Sequence, residues 1–121
     1  MKIRSADISD GDHIRQIHLK AFGAHEKESV ADLASDLLNE PSNPETVHLV
    51  VEIENDLVGH IAFSPVHSKK KRNLIGYILA PLAVEPFHQK KGIGTALVEE
   101  GLRQLARKDF GIIFVYGDPS Y

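Results

Sequence analysis

The spacing of apolar positions changes several times along the chain, and each change marks an element. Ile3 to Ala6 reads as a short strand. Asp7 to Gly11 is rich in Asp and Ser, the composition of a turn or a helix N-cap. Ile14, Ile17, His18, Ala21 and Phe22 then recur at helical spacing, and Gly23 closes that helix. A second helix is predicted from about Glu26 to Asn39, with the stripe Val30, Leu33, Ala34, Leu37 and Leu38. Pro41 and Pro44 end it. Val47 to Ile53 is rich in β-branched residues and reads as a strand. Glu54-Asn55-Asp56 is a turn, and Leu57 to Val66 returns as the second arm of a hairpin.

Ser68 to Asn73 is the next turn, and its bases Lys69 to Arg72 read as solvated. Leu74 to Val84 is apolar on both faces, with Leu74, Ile78, Ala80, Leu82 and Val84 assigned to one and Ile75, Tyr77, Leu79 and Ala83 to the other. Such a strand lies inside a sheet covered on both sides. A polar loop, Glu85 to Lys91, precedes a helix from about Gly92 to Lys108. Its stripe is Ile93, Leu97, Val98, Leu102, Leu105 and Ala106. Gly111 to Tyr116 is the last strand. The order β-α-α-β-β-β-α-β predicts one α/β (α+β) domain over residues 1–121. Its sheet is mixed and mostly antiparallel, with helices on both faces and a parallel pair at the crossover.

Composition narrows the function classes. Hydrophobic residues are 42% and charged residues 26% of the 121, which is globular rather than disordered. Cysteine is absent, so disulfides, thiolate metal sites and a covalent Cys intermediate are excluded. The net charge of −3 supplies no general attraction to nucleic acid or to an anionic membrane, and neither is expected as a partner. The longest apolar run, Leu74 to Val84, falls short of the about 20 residues a membrane-spanning helix needs. The N-terminal residues carry no apolar signal region, so a cytoplasmic location is expected. His13, His18 and His25 lack matching carboxylates, and no metal is expected. His60 shares a strand face with Val58 and Ala62 and reads as structural, while His67 and His88 read as surface residues.

The segment from Pro81 to Leu97 carries the chemistry. It is a central strand, a short loop, and then Gly92 and Gly94 opening a helix. A helix N-terminus presents unpaired N–H groups to an anion, and glycines let the backbone approach it closely. Lys90 and Lys91 add positive charge there. Pro81 has no N–H, so it marks a bulge or break that frees backbone groups at Leu82, Ala83 and Val84 for a ligand. A ligand with a pyrophosphate and an amide-bearing arm fits both features, and coenzyme A is such a molecule.

Gln89-Lys90-Lys91-Gly92-Ile93-Gly94 resembles the Gln/Arg-x-x-Gly-x-Gly/Ala signature of the GNAT N-acetyltransferase superfamily. Leu82-Ala83-Val84-Glu85-Pro86 resembles the strand before it, and Gly117-Asp118-Pro119-Ser120-Tyr121 a stretch of one branch. The resemblance implies acetyl-CoA as co-substrate and direct attack on its thioester by a primary amine in a ternary complex. The acceptor would be a small molecule or a peptide. Backbone N–H groups of Gln89, Lys90, Lys91, Gly92, Ile93, Gly94 and Thr95 would cradle the pyrophosphate. Leu82, Ala83 and Val84 would hold the pantetheine arm, one of their N–H groups polarising the acetyl carbonyl. Tyr121 would be the candidate acid for the departing thiolate. Glu85 is a candidate base by its position after the central strand, or simply a loop carboxylate. The family adds a helix and two strands beyond this point, so the chain reads as C-terminally truncated. The edge at Gly111 to Tyr116 would then be open to a second copy, and a truncated, catalytically weak CoA binder is the alternative reading.

Three other readings compete with this one. A dinucleotide fingerprint would need a third Gly where Leu97 stands. A structural helix N-terminus stays open. Asp109-Phe110-Gly111 spells a kinase triplet without any other kinase element. Charge is also uneven. Residues 26–56 hold nine acids against Lys27, and residues 69–91 hold six bases against Glu85. In the resembling family the acidic helices border the acceptor site, which suggests a cationic acceptor.

Overall fold

Asp7 explains where the first helix begins. Its side chain accepts from the Ser9 N–H, and its own N–H donates to Asp10 at 2.9 Å. This capping box starts a single 3-10 turn, Ile8–Asp10, that runs into α1, Gly11–Ala21. Asp10 is buried and also takes two hydrogen bonds from the Arg4 guanidinium, at 2.8 and 2.9 Å. Arg4 lies on β1, Lys2–Ser5, so one charge network ties the first strand to the first helix.

The computed structural model describes residues 1–22, 27–42, 45–68, 74–108 and 113–115. After α1 come α2 (Lys27–Asn39), β2 (Val47–Ile53), β3 (Asp56–His67) and β4 (Leu74–Val84), and then α3 (Ile93–Arg107) and β5 (Ile113–Val115). The bounds of β2 and β4 coincide with the expected ones. Glu54 and Asn55 join β2 to β3 with φ of 52° and 71°, the two positive values that a tight hairpin turn requires. Gly23, the bases Lys69 to Arg72, the Asp109-Phe110-Gly111 triplet and Tyr116 to Tyr121 lie outside the described residues.

The five strands form one sheet in the order β1-β2-β3-β4-β5. The first three pairings are antiparallel, and β4 pairs with β5 in parallel through the α3 crossover. Two cores lie on opposite faces. On one, Leu97 and Leu105 of α3 pack with Leu49, Ile61, Phe63, Tyr77 and Leu79. On the other, Ile14 of α1 and Ala34 of α2 pack with Val50. Each large apolar side chain buried this way is worth about 1.5–3 kcal/mol. The mixed, mostly antiparallel sheet with helices on both faces is therefore the architecture found.

The face assignment along β4 needs correction. Tyr77 and Leu79 share a core with Val84 and the partly buried Leu82. The reason is a bulge: Ile61 faces Leu82 and Phe63 faces Leu79, so Ala62 alone opposes both Ala80 and Pro81. One extra residue shifts the two-residue alternation and moves the following side chains to the other face. The bulge expected at Pro81 is thus present, and it inverts the pattern read across it.

Candidate functional site

Beyond the bulge, β4 keeps its pairing with β3 but loses it on the other side. The described β5 pairs with Tyr77, Ile78 and Leu79 only. From Ala80 on, that side of β4 faces a gap with no strand among the described residues. Which groups face it follows from one bond, Glu85 N–H to Val58 C=O at 2.8 Å. That bond makes Gly59 and Val84 a non-hydrogen-bonded pair, and antiparallel pairs alternate. Ala83 therefore exchanges its bonds with His60. Leu82 and Val84 turn their N–H and C=O groups into the gap. The Val84 carbonyl is taken up by Gln89, whose Nε2 donates to it at 2.9 Å. What the strand offers on that side is thus chiefly the N–H groups of Leu82 and Val84.

A short loop leads from there to α3. Pro86–His88 makes one 3-10 turn, and Gly92 caps the helix with φ 81°, a left-handed value that suits glycine. No side chain caps this end. The first helical bond runs from Ala96 N–H to Gly92 C=O at 3.0 Å, so the N–H groups of Ile93, Gly94 and Thr95 precede the helix's own ladder. They carry the positive end of the helix dipole. Val84, His88, Gln89, Lys90 and Gly92 to Thr95 line a cavity of about 350 Å³ here. Lys90 and Lys91 are exposed. The Lys91 ammonium lies 5.3 Å from the Phe87 ring centroid.

Two glycines outside the signature let α3 settle closely on the sheet. A Cβ on Gly59 would come within 3.2 Å of both Ile93 and Leu97, so β3 lets the first turns of α3 settle closely. A Cβ on Gly101 would lie 2.0 Å from the Phe63 ring. At both contacts a side chain of one element packs directly on the glycine backbone of the other.

A second cavity, about 440 Å³, lies between α1, the β2–β3 turn and the β4–α3 loop. His13, Gln16 and Lys20 line it from α1, Glu54 and Asp56 from the turn, and Glu85 and His88 from the loop. Glu85 is half-buried, and its Oε2 lies 3.9 Å from His88 Nδ1. His88 is not the surface residue expected: its Nδ1 is buried and makes no hydrogen bond. His67 is exposed as expected.

His60 is fully buried, as a structural residue would be, but it is not alone. His18 Nε2 lies 2.9 Å from His60 Nδ1, and His60 Nε2 lies 3.1 Å from His48 Nδ1. Burial lowers the pKa of all three, that of His18 to about 4. The three come from α1, β2 and β3, so no local motif announces them. Among the described residues no group of three or more His, Cys, Asp or Glu could hold a metal ion. No described helix is long and apolar enough to cross a membrane. The candidate acid Tyr121 lies outside the described residues.

Residues 12–120 match the acetyltransferase (GNAT) family. The chain belongs to that family. It is 34% identical over 116 residues to the uncharacterized N-acetyltransferase YjhQ of Escherichia coli K12, covering 95% of this chain and 62% of YjhQ. It thus spans less than two thirds of that relative's length. Among solved structures, the GNAT-family YhbS of Escherichia coli in complex with CoA superimposes with a TM-score of 0.82 at 29% identity. That match covers 98% of this chain and 63% of YhbS. A GNAT-family acetyltransferase of Brucella melitensis in complex with acetyl-CoA has a TM-score of 0.76 at 31% identity, covering 99% of this chain and 77% of the other.

Proposed function

We propose that this chain binds acetyl-CoA along the gap beside β4 and transfers the acetyl group to a primary amine of a small molecule or peptide. The observation that carries the reading is a continuous row of N–H donors. Leu82 and Val84 present theirs to the gap, and one short loop later Ile93, Gly94 and Thr95 present theirs at the start of α3. An extended amide-bearing arm pairs with the first set as an added strand would. A diphosphate pairs with the second. YhbS with CoA and the Brucella protein with acetyl-CoA support the choice of ligand.

The reaction needs little covalent chemistry from the protein. The amine nitrogen forms a bond to the thioester carbon, the carbon–sulfur bond breaks, and the amine loses a proton while the thiolate gains one. The N–H of Leu82 or Val84 stabilises the charge that develops on the acetyl oxygen, and holding both reactants supplies most of the rate gain. Glu85, in the larger cavity beside the row of donors, is the candidate that receives the amine's proton. Tyr121 is the candidate that returns one to the thiolate.

Calorimetry with CoA and acetyl-CoA tests the binding, with micromolar affinity expected. Thiol release from acetyl-CoA across a panel of primary amines tests the transfer, and Glu85→Gln should lower its rate at saturating acceptor. A chain that binds neither CoA nor acetyl-CoA overturns the reading.

A further inference from the structure

His88 is placed where two sites meet, and the transfer described above makes no use of it. His88 lines both cavities, the one over the start of α3 and the one between α1 and the β2–β3 turn. The backbone fixes the ring's place: His88 N–H donates to the Glu85 carbonyl at 2.8 Å, and Gln89 N–H donates to the Pro86 carbonyl at 3.3 Å. Phe87 packs against it edge-on, with centroids 5.4 Å apart. Nδ1 is buried without a hydrogen bond, 3.9 Å from Glu85 Oε2. That distance is too long for a hydrogen bond.

Other charged groups surround the same cavities. His13 and Lys20 of α1, together with Glu54 and Asp56 of the β2–β3 turn, line the larger one, and Lys90 lines the smaller. Glu54, Asp56 and Glu85 line the larger cavity, and Ile93, Gly94 and Thr95 line the smaller. A neutral ring serves neither side fully, because one of its nitrogens must lack a proton. A protonated ring donates from both.

We propose that His88 is a phosphate-binding residue of the cofactor site, taking up a proton as the diphosphate of CoA seats at the start of α3. Nδ1–H then donates to Glu85, and Nε2–H, on the far side of the ring, donates to a diphosphate oxygen. One proton passes from solvent to the ring and no covalent bond changes. Histidine is the side chain whose charge changes within the physiological range, so affinity for the cofactor falls as pH rises. The inference rests on the acetyl-CoA reading and adds a residue and a proton to it.

The test is calorimetry with 3′-dephospho-CoA, whose diphosphate does not itself titrate near neutrality. Titrations in buffers of different ionisation enthalpy count the protons taken up. Wild-type protein is expected to take up part of a proton near neutral pH, and its Kd is expected to rise about threefold or more from about pH 6 to about pH 8. His88→Asn and His88→Gln should bind more weakly at the lower pH, with a flat profile and no proton uptake. Circular dichroism of both variants checks that they fold. Glu85→Gln should reduce the uptake. Binding by the wild type with no uptake, or equal uptake in the His88 variants, overturns the role of His88 and leaves the acetyl-CoA reading standing. No binding of CoA by the wild type at any pH overturns that reading, and this inference with it.

Discussion

His48 Nε2 lies 3.2 Å from the Leu37 carbonyl oxygen, and that contact sets the tautomers of three buried histidines. A carbonyl only accepts, so His48 must donate from Nε2 and accept at Nδ1. His60 then donates from its Nε2 to His48 Nδ1 and accepts at its own Nδ1. His18 donates to that atom from Nε2. The direction runs from α1 through β3 and β2 to α2, and it starts at His18, whose Nδ1 is a buried acceptor with no partner.

Acid should dismantle this arrangement. Burial holds His18 at about 4 and lowers His48 and His60 as well. The unfolded chain therefore binds protons at a higher pH than the folded one. The contribution of the neutral histidines is fully present above the ordinary histidine value of about 6.5 and is lost as pH falls from there towards 4. One such histidine alone costs about 1.4 kcal/mol per pH unit inside that window. Urea midpoints should fall from about pH 7 to about pH 5, and a flat profile contradicts the neutral cluster. Asp10, lowered below the usual carboxylate range by the Arg4 hydrogen bonds, acts only in a more acid window.

Two glycines should respond differently to the same change. Gly101→Ala drives a methyl into the Phe63 ring and should destabilise by about 1–3 kcal/mol. Gly92→Ala meets nothing within 4 Å, so only its left-handed backbone resists, at about 1–2 kcal/mol. Denaturation of the two variants should also separate them by site: Gly92→Ala disturbs the start of α3, whereas Gly101→Ala disturbs the core beneath it.

Arg4 bonds to Asp10 and to Glu52 of β2, so it joins three elements. Arg4→Ala leaves the buried Asp10 carboxylate without its charged partner. The expected loss is about 2 kcal/mol in chemical denaturation, and Asp10→Asn in the same background should recover part of it.

Gln89→Leu removes the donor that holds the Val84 carbonyl. Stability should fall by about 1 kcal/mol. CoA binding should weaken several-fold in calorimetry, because the end of β4 and the start of α3 lose a direct link.

Much of this was legible in the sequence because it is local. The β-branched run of β2, the two-faced β4, the stripe of α3 and the paired glycines of the loop each announce themselves within a few residues. The histidine chain could not be read that way. His18 looked like one more member of a helical stripe, and its partner His60 is 42 residues away. His88 looked exposed because its neighbours are polar, while its burial comes from the folding of its own loop and the elements packed around it. Gly59 and Gly101 carried no signal either, since a close approach between two elements leaves no spacing along one of them. The bulge at Pro81 was foreseeable from the missing N–H, but its reversal of the faces depends on the register with β3.

The short parallel ladder of β5 has a consequence for the order of assembly. β2, β3 and β4 are joined by hairpin connections, so their contacts close short loops. β5 reaches β4 only after the whole α3 crossover, with Leu79 facing Val115. Loops of greater length close more slowly and at higher entropic cost. The wall of the candidate site made by β4 is expected to form early and to exchange its amide hydrogens slowly. β5 forms late and opens first. Hydrogen exchange should therefore grade the two partners of the parallel ladder differently, with β5 exchanging before β4.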